Sequence, residues 1–324
     1  FMRRTNDWVI YGALTAVLAA ASLASVFAGA VRVPLAELLG SGIVRLRLAR
    51  IALGIVAGAG LSVAGVIFQA LLRNPLADPY VLGVSSGSAL GAAGAILLGL
   101  AVLGPWTLPA AAFVGGTVTI VLVYLLGRQA EGGVGVQTLL LAGVIVSSLM
   151  GSLLMFLVSL SSSQEMHNVL WWLLGNLQIF DWGLLWAMTG IVLAGTVAAA
   201  LLARDLNLLT LGEEPAAHLG LTVERTKVVF FLVGSLVTAA TVAACGLIGF
   251  VGLIVPHAVR LACGPDHRRL VLASALAGAS LLVLADAFAR TVLAPLEIPI
   301  GVVTAFLGGP FFLFLLRRRR RGVG

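Results

Sequence analysis

Residues 204–227, RDLNLLTLGEEPAAHLGLTVERTK, form the only long charged stretch lying between two strongly apolar blocks of the chain. A solvated linker would be rich in Ser, Gly and Lys and would lack apolar periodicity. Here the spacing predicts two short helices punctuated by glycine. Asp205 is placed to cap a helix over Leu206–Leu211 that Gly212 ends. Glu213 and Glu214 put negative charge at the start of a second helix, where the dipole favours it, with Pro215 in its first turn. Gly220 closes that helix in the left-handed region, and Thr222 is placed to cap the next. Leu206, Leu209, Leu219 and Leu221 then need a cover. Either the stretch lies on lipid headgroups as an interfacial connector, or another protein docks on it.

The flanking blocks decide the class. Over 324 residues, 60% are hydrophobic and 10% charged, with a mean hydropathy of +1.11. A soluble domain of this size needs far more charge to cover its surface, so the expectation is an all-α polytopic protein in a lipid bilayer. The 39 glycines suit close helix packing in lipid. The net charge of +7 is not a nucleic-acid footprint, because the arginines sit in short inter-helix segments and at the C-terminus. Cys245 and Cys263 read as packed thiols, and no metal site is expected from two isolated cysteines. Trp8–Ala30 is expected as a first helix, not a removed signal.

Ten apolar segments are long enough, or nearly so, to be spans: 8–29, 48–71, 85–103, 108–127, 138–160, 183–203, 228–248, 250–263, 270–290 and 300–316. They make one transmembrane domain over 1–324, with 204–227 as a cytoplasmic segment within it. Arg3, Arg4 and Arg317–Arg321 place both termini in the cytoplasm, and the same parity puts Arg73, Arg128, Arg204, Arg225, Lys227, Arg268 and Arg269 there. Arg45, Arg47, Arg50 and Arg290 fall on the outer side, against that rule. They read either as helix-end arginines snorkelling to outer-leaflet phosphates or as a basic patch for an acidic extracytoplasmic partner. Composition alone favours the first.

Within the spans, Gly83, Gly87, Gly91, Ala95 and Gly99 make a small-residue stripe, and Gly54 with Gly58 makes another. Both read as helix-contact faces. Asn74–Pro79 (NPLADP) is a rigid polar turn. GLIGFVGLIVP at 246–256 argues for a break between two membrane helices, tolerated only where protein or a cavity satisfies the backbone. EIPIG at 297–301 is a second break.

Enzymatic chemistry is missing. Gly83–Gly87 matches G-x-S-x-G, but a Pro-rich turn precedes it where a nucleophile elbow needs a strand, so Ser85 and Ser86 are cap and packing residues. The only lysine, Lys227, follows Thr226 and not a loop glycine, so the chain holds no phosphate cradle. None of the four histidines has zinc-site spacing, and for His257 a structural bond is favoured over contact with a metal chelate. Asp286 precedes Arg290 by four residues and is placed to pair with it. That leaves almost no unpaired carboxylate of the kind ion-coupled carriers display. Energy must therefore enter from another chain. The alternatives are an ion-coupled secondary transporter acting without an ATPase, and an intramembrane hydrolase using Ser85.

The run RLRLARIALGIVAGAGLSVAGVIFQALLRNPLADPYVLGVSSGSALGA (45–92) resembles the permease subunits that import iron chelates, haem and cobalamin. LGEEPAAHLGL (211–221), GLIGFVGLIVPHAVRLACGPDHRRL (246–270), ALAGASLLVLADAFAR (275–290) and EIPIGVVTAFLGGPFFLFLL (297–316) resemble later motifs of that family, in the same order. These are membrane subunits of type II ABC importers of the bacterial inner membrane, and the layout is nearest to the cobalamin and haem permeases. The resemblance implies a homodimer of ten-helix subunits, although pairing with a different permease is also open. It implies an extracytoplasmic binding protein, and cytoplasmic ATPase subunits that carry the ATP and magnesium, leaving this chain without a cofactor. ATPase coupling is carried over to Leu206, Leu209, Gly212, Glu213, Glu214, Pro215, Leu219 and Gly220. Binding-protein docking is carried over to Arg47, Arg50 and Arg290, with Arg45 adjacent. A cytoplasmic gate falls on Asn74 and Leu76, with a second element at Val136 and Gln137, where the family often has small hydroxyl residues. The cargo class stays open among haem, ferric siderophore and cobalamin.

Overall fold

The computed structural model describes residues 7–29, 42–128, 133, 135–178 and 181–321; Arg3 and Arg4 lie outside them. The described residues form thirteen α-helices and no sheet. In chain order these are α1 (Asp7–Phe27), α2 (Gly42–Leu71), α3 (Val84–Leu97), α4 (Thr107–Gly127), α5 (Val136–Ser159), α6 (Ser163–Leu173) and α7 (Trp182–Leu201). They continue with α8 (Ala203–Thr210), α9 (Glu213–His218), α10 (Val223–Cys245), α11 (Val251–Cys263), α12 (His267–Ala289) and α13 (Ile300–Arg321). Seven of them are long and apolar enough to cross a membrane, and α3, α11 and the apolar part of α13 are shorter. Each of the ten expected spans thus coincides with one helix. The helix not foreseen is α6, opened by a capping box in which Ser162 and Glu165 satisfy each other's backbone N–H.

The bundle is built around α2. Its 30 residues span about 45 Å, longer than the ~30 Å hydrocarbon core. Glycines let other backbones reach it: a Cβ at Gly58 would collide with Gly278 of α12, and one at Gly65 with Gly252 of α11. The stripe on α3 does the same work, Gly87 and Gly91 lying on Gly115 and Ala111 of α4. With no water in the hydrocarbon, such close approach supplies the dispersion contacts that hold helices together. The helix-contact reading holds for Gly54, Gly58, Gly87 and Gly91, whereas Gly99 lies beyond α3 with open space beside it.

Both expected breaks are present, one with a changed boundary. Residues 246–250 leave the helix, and Phe250 takes φ 68°, a left-handed conformation costly for an aromatic residue. Pro256, expected to take part in the break, instead lies inside α11. The second break precedes α13, which begins at Ile300. Backbone groups freed at these sites find partners. The Tyr80 hydroxyl donates to the Ile248 carbonyl and accepts from the Ile248 N–H, both at 3.1 Å. Asn176 N–H donates to Cys245 O at 2.8 Å, and Gly301 N–H to Leu174 O at 3.0 Å. The Gln69 amide donates to the carbonyls of Gly252 and Leu253. In lipid each orphan group would cost several kcal/mol, so these bonds are what permits α3, α11 and α13 to be short.

The two ends of the bundle separate as charge parity requires. Asp7 pairs with Arg269 at 2.9 Å, at the end that holds α8, α9 and the start of α10. Ser25 and Ala28 meet Arg290 at the opposite end.

Candidate functional site

The stretch 204–227 folds as a two-helix wedge across the ends of α2, α10 and α12. Two expected caps are corrected. The first helix begins at Ala203, so Asp205 sits inside its first turn and does not cap it, and Thr222 makes no side-chain cap bond. The second helix starts at Glu213 with Pro215 in its first turn, and Gly220 takes φ 86°, as its sequence requires.

A further correction concerns what covers the leucines. Leu206 and Leu209 are 0% and 2% exposed, buried in the same core as the residues of α2 and α12. They bury their side chains within their own chain, each contributing about 1.5–3 kcal/mol, and leave nothing for a partner. Leu211 and Leu219, by contrast, are 60% and 56% exposed. With Glu214, Pro215, Ala217, His218 and Gly220 they form an outward rim, while Gly212 and Glu213 are half-buried.

Polar contacts clamp the wedge from its inner side. The Asn207 amide donates to Asp266 Oδ1 at 2.7 Å, and Asn207 Oδ1 accepts the His267 N–H at 2.9 Å. His267 Nδ1 lies 2.7 Å from the same oxygen, which requires that nitrogen to carry the proton. Burial of Asp266 works against its charge, but the Asn207 amide, the Arg268 N–H and two neighbouring arginines outweigh it and hold its carboxyl below the usual range. At the other helix, Glu213 pairs with buried Lys227 at 3.0 Å and reaches Arg73 at 3.9 Å, and Lys227 also holds Glu224. The wedge is therefore fastened to the end of α2 and to the starts of α10 and α12.

The outer arginines are not where either sequence reading put them. Arg47 and Arg290 are buried, neither snorkelling to lipid nor forming an outward patch. Arg47 Nη1 donates to Val26 O at 2.7 Å. Arg290 Nη1 donates to Ala28 O at 3.0 Å, and its Nη2 to Ser25 O and Oγ at 3.3 and 2.7 Å. The last carbonyls of a helix have no intrahelical partner, and here arginines from α2 and the end of α12 supply the donors for α1. Asp286 binds the two other guanidinium groups, Oδ1 to Arg50 Nε at 2.8 Å and Oδ2 to Arg290 Nε at 2.9 Å. The i,i+4 pair expected from sequence is present, joined by a third member from α2. Glu297 completes the cluster, 2.9 Å from Arg50 Nη1. Arg45 remains exposed.

For the gate, Asn74 is exposed and its Oδ1 accepts the Leu76 N–H at 3.0 Å, which sets the turn. Asp78 caps a single 3-10 turn, Pro79–Leu82. The 72–83 segment meets α5 through Gly143 and Ser147, which lie six residues or more along the helix from half-buried Val136 and exposed Gln137.

Comparison with known proteins decides the family: residues 16–318 match the FecCD transport family. The chain belongs to the FecCD transport family. The cobalamin import system permease protein BtuC of Halobacterium salinarum is 46% identical over 275 residues, covering 85% of this chain and 73% of that protein. The hemin transport system permease protein HmuU of Yersinia pestis is 40% identical over 284 residues, covering 85% and 83%. A solved inward-facing structure assigned to the metal-chelate type of ABC transporter superposes with TM-score 0.86 at 33% identity, covering 96% of this chain and 99% of that one. This FecCD-family chain is a multi-span ABC-transporter permease, a transport component and not an enzyme, and its family works with an ATPase and a binding protein.

Proposed function

We propose that the chain is the membrane subunit of an ATP-driven importer for a bulky metal chelate, assembled as a homodimer in the bacterial inner membrane. The cargo class is that of its relatives: haem, a ferric chelate or cobalamin. ATP and magnesium reside on a separate ATPase, and this chain carries no cofactor. One observation carries the reading: a wedge whose inner side is locked to three membrane helices while its rim, around Leu211 and Leu219, stays outward. A partner that grips the rim moves those helices, because Asn207 and Glu213 connect rim to bundle. Alternating access follows when closure of the two ATPase subunits displaces the wedges, the non-helical stretches at 72–83 and 246–250 taking up the dihedral change.

Purified permease reconstituted with its ATPase, and with binding proteins for cobalamin, haemin and a ferric siderophore presented in turn, tests this. We expect uptake of one class that requires ATP on the side bearing the wedge. Uptake by the permease alone under an ion gradient would establish the secondary-transporter reading instead. Co-purification of untagged with tagged chain reports the homodimer.

A further inference from the structure

Among the described residues, Arg47, Arg50, Arg290, Asp286 and Glu297 lie together at the outer end. Arg47 and Arg290 bind the terminal carbonyls of α1, so drawing either outward would uncap that helix. Arg50 is different. Its side chain is 16% exposed, its Nε points inward to Asp286, and its Nη1 points to Glu297 at 2.9 and 3.2 Å. Glu297 is itself 43% exposed and sits on the irregular stretch before α13, so it can leave without unwinding a helix. The pair is thus a half-wet ion pair at the edge of an otherwise buried cluster. An exposed pair of this kind holds with about 0–1 kcal/mol, little enough for a better-placed carboxylate to replace it.

We propose that Glu297 is an internal stand-in for a carboxylate of the extracytoplasmic binding protein. On docking, the partner's Asp or Glu takes the Nη1 edge of Arg50, and Glu297 swings into solvent. The remaining cluster keeps its geometry, because Asp286 still bridges Arg50 and Arg290. Of the outer arginines carried over from the resemblance, Arg50 is then the one that meets the partner, while Arg47 and Arg290 hold the platform. Because this edge of Arg50 already holds a carboxylate, it suits an acidic partner, and the swap adds none of the cost of exposing a buried ion.

The inference rests on the binding-protein reading above, and its test keeps the two apart. Permease assembled with its ATPase in nanodiscs is titrated with the cobalamin, haemin and ferric-siderophore binding proteins, and the one that binds wild type is carried forward. Glu297→Gln removes the internal competitor and is expected to tighten binding by up to about 5-fold, the most that so weak a pair can return. Glu297→Asp, with a shorter reach to Arg50, is expected to fall between the two. Arg50→Gln is expected to weaken binding and flatten its salt dependence. Equal or weaker binding by a folded Glu297→Gln, or failure of Glu297→Asp to fall between, overturns the stand-in while leaving the docking reading intact. If none of the three proteins binds wild type, the docking reading fails and the stand-in falls with it.

Discussion

The two ends of the molecule handle charge in opposite ways. At the outer end, cations that looked outward in sequence are turned inward: Arg47 and Arg290 are buried, and a carboxylate buried more deeply than either, Asp286, joins Arg290 to Arg50. At the cytoplasmic end, the four leucines expected to need a cover divide: Leu206 and Leu209 enter the core, Leu221 packs half-buried against it and Leu219 stays out, with the polar residues on the inner side acting as fasteners. The first arrangement fixes a platform, since moving any member strands a buried charge. The second leaves its rim exposed while its inner side is attached to the bundle. Charge density along a sequence therefore marks neither kind of surface until the partners of each charge are known.

The largest contrast is expected from Asp286→Ala. It leaves Arg50 and Arg290 without their shared counter-charge, and breaking such a buried pair costs about 3–5 kcal/mol. The midpoint of thermal unfolding in detergent should drop sharply, with poor recovery of monodisperse protein. Next is Leu206→Ala, expected to cost about 2–5 kcal/mol as a buried Leu-to-Ala truncation. Asn207→Ala removes a side-chain partner from the exposed Asp266 carboxylate and from the His267 N–H, and should cost about 0.5–1.5 kcal/mol by the same measurement. Leu219→Ala should leave the midpoint within about 0.5 kcal/mol of wild type, as a surface change does. If Leu206→Ala and Leu219→Ala behaved alike, the division of the wedge into an inner and an outer side would be lost.

What the sequence made legible was local or periodic. The ten apolar segments, the Glu213–Pro215 helix start, the left-handed Gly220 and the Asp286–Arg290 pair all depend on neighbours within a few residues. So does the Gly246–Phe250 break, set by glycines that sit inside it. What was not legible depends on distant partners. The carbonyls that receive Arg290 lie more than 260 residues away on α1, and nothing in the spacing of arginines points to them. The cover for Leu206 and Leu209 comes from α2 and α12, and the acceptor of the Asn207 amide is Asp266. Pro256 was misplaced because a distant group repairs the helix around it: the Gly252 carbonyl, which an N–H at position 256 would have bonded, accepts from the Gln69 amide of α2 at 3.4 Å. One signal was available: an Asn inside a short amphipathic helix, opposite the Asp-His that opens α12, is a candidate for a bond between helix ends.

The measurement closest to the central claim is capture and stimulation of the ATPase by a permease carrying Leu211→Asp together with Leu219→Asp. Both side chains are outward, so the variant should fold with the wild-type midpoint. The account predicts that it fails to co-purify with the ATPase and that ATP-driven uptake falls by at least about tenfold, the loss that ~1.4 kcal/mol of docking energy would produce. A folded double variant that still captures the ATPase at wild-type stoichiometry and transports at the wild-type rate would contradict it.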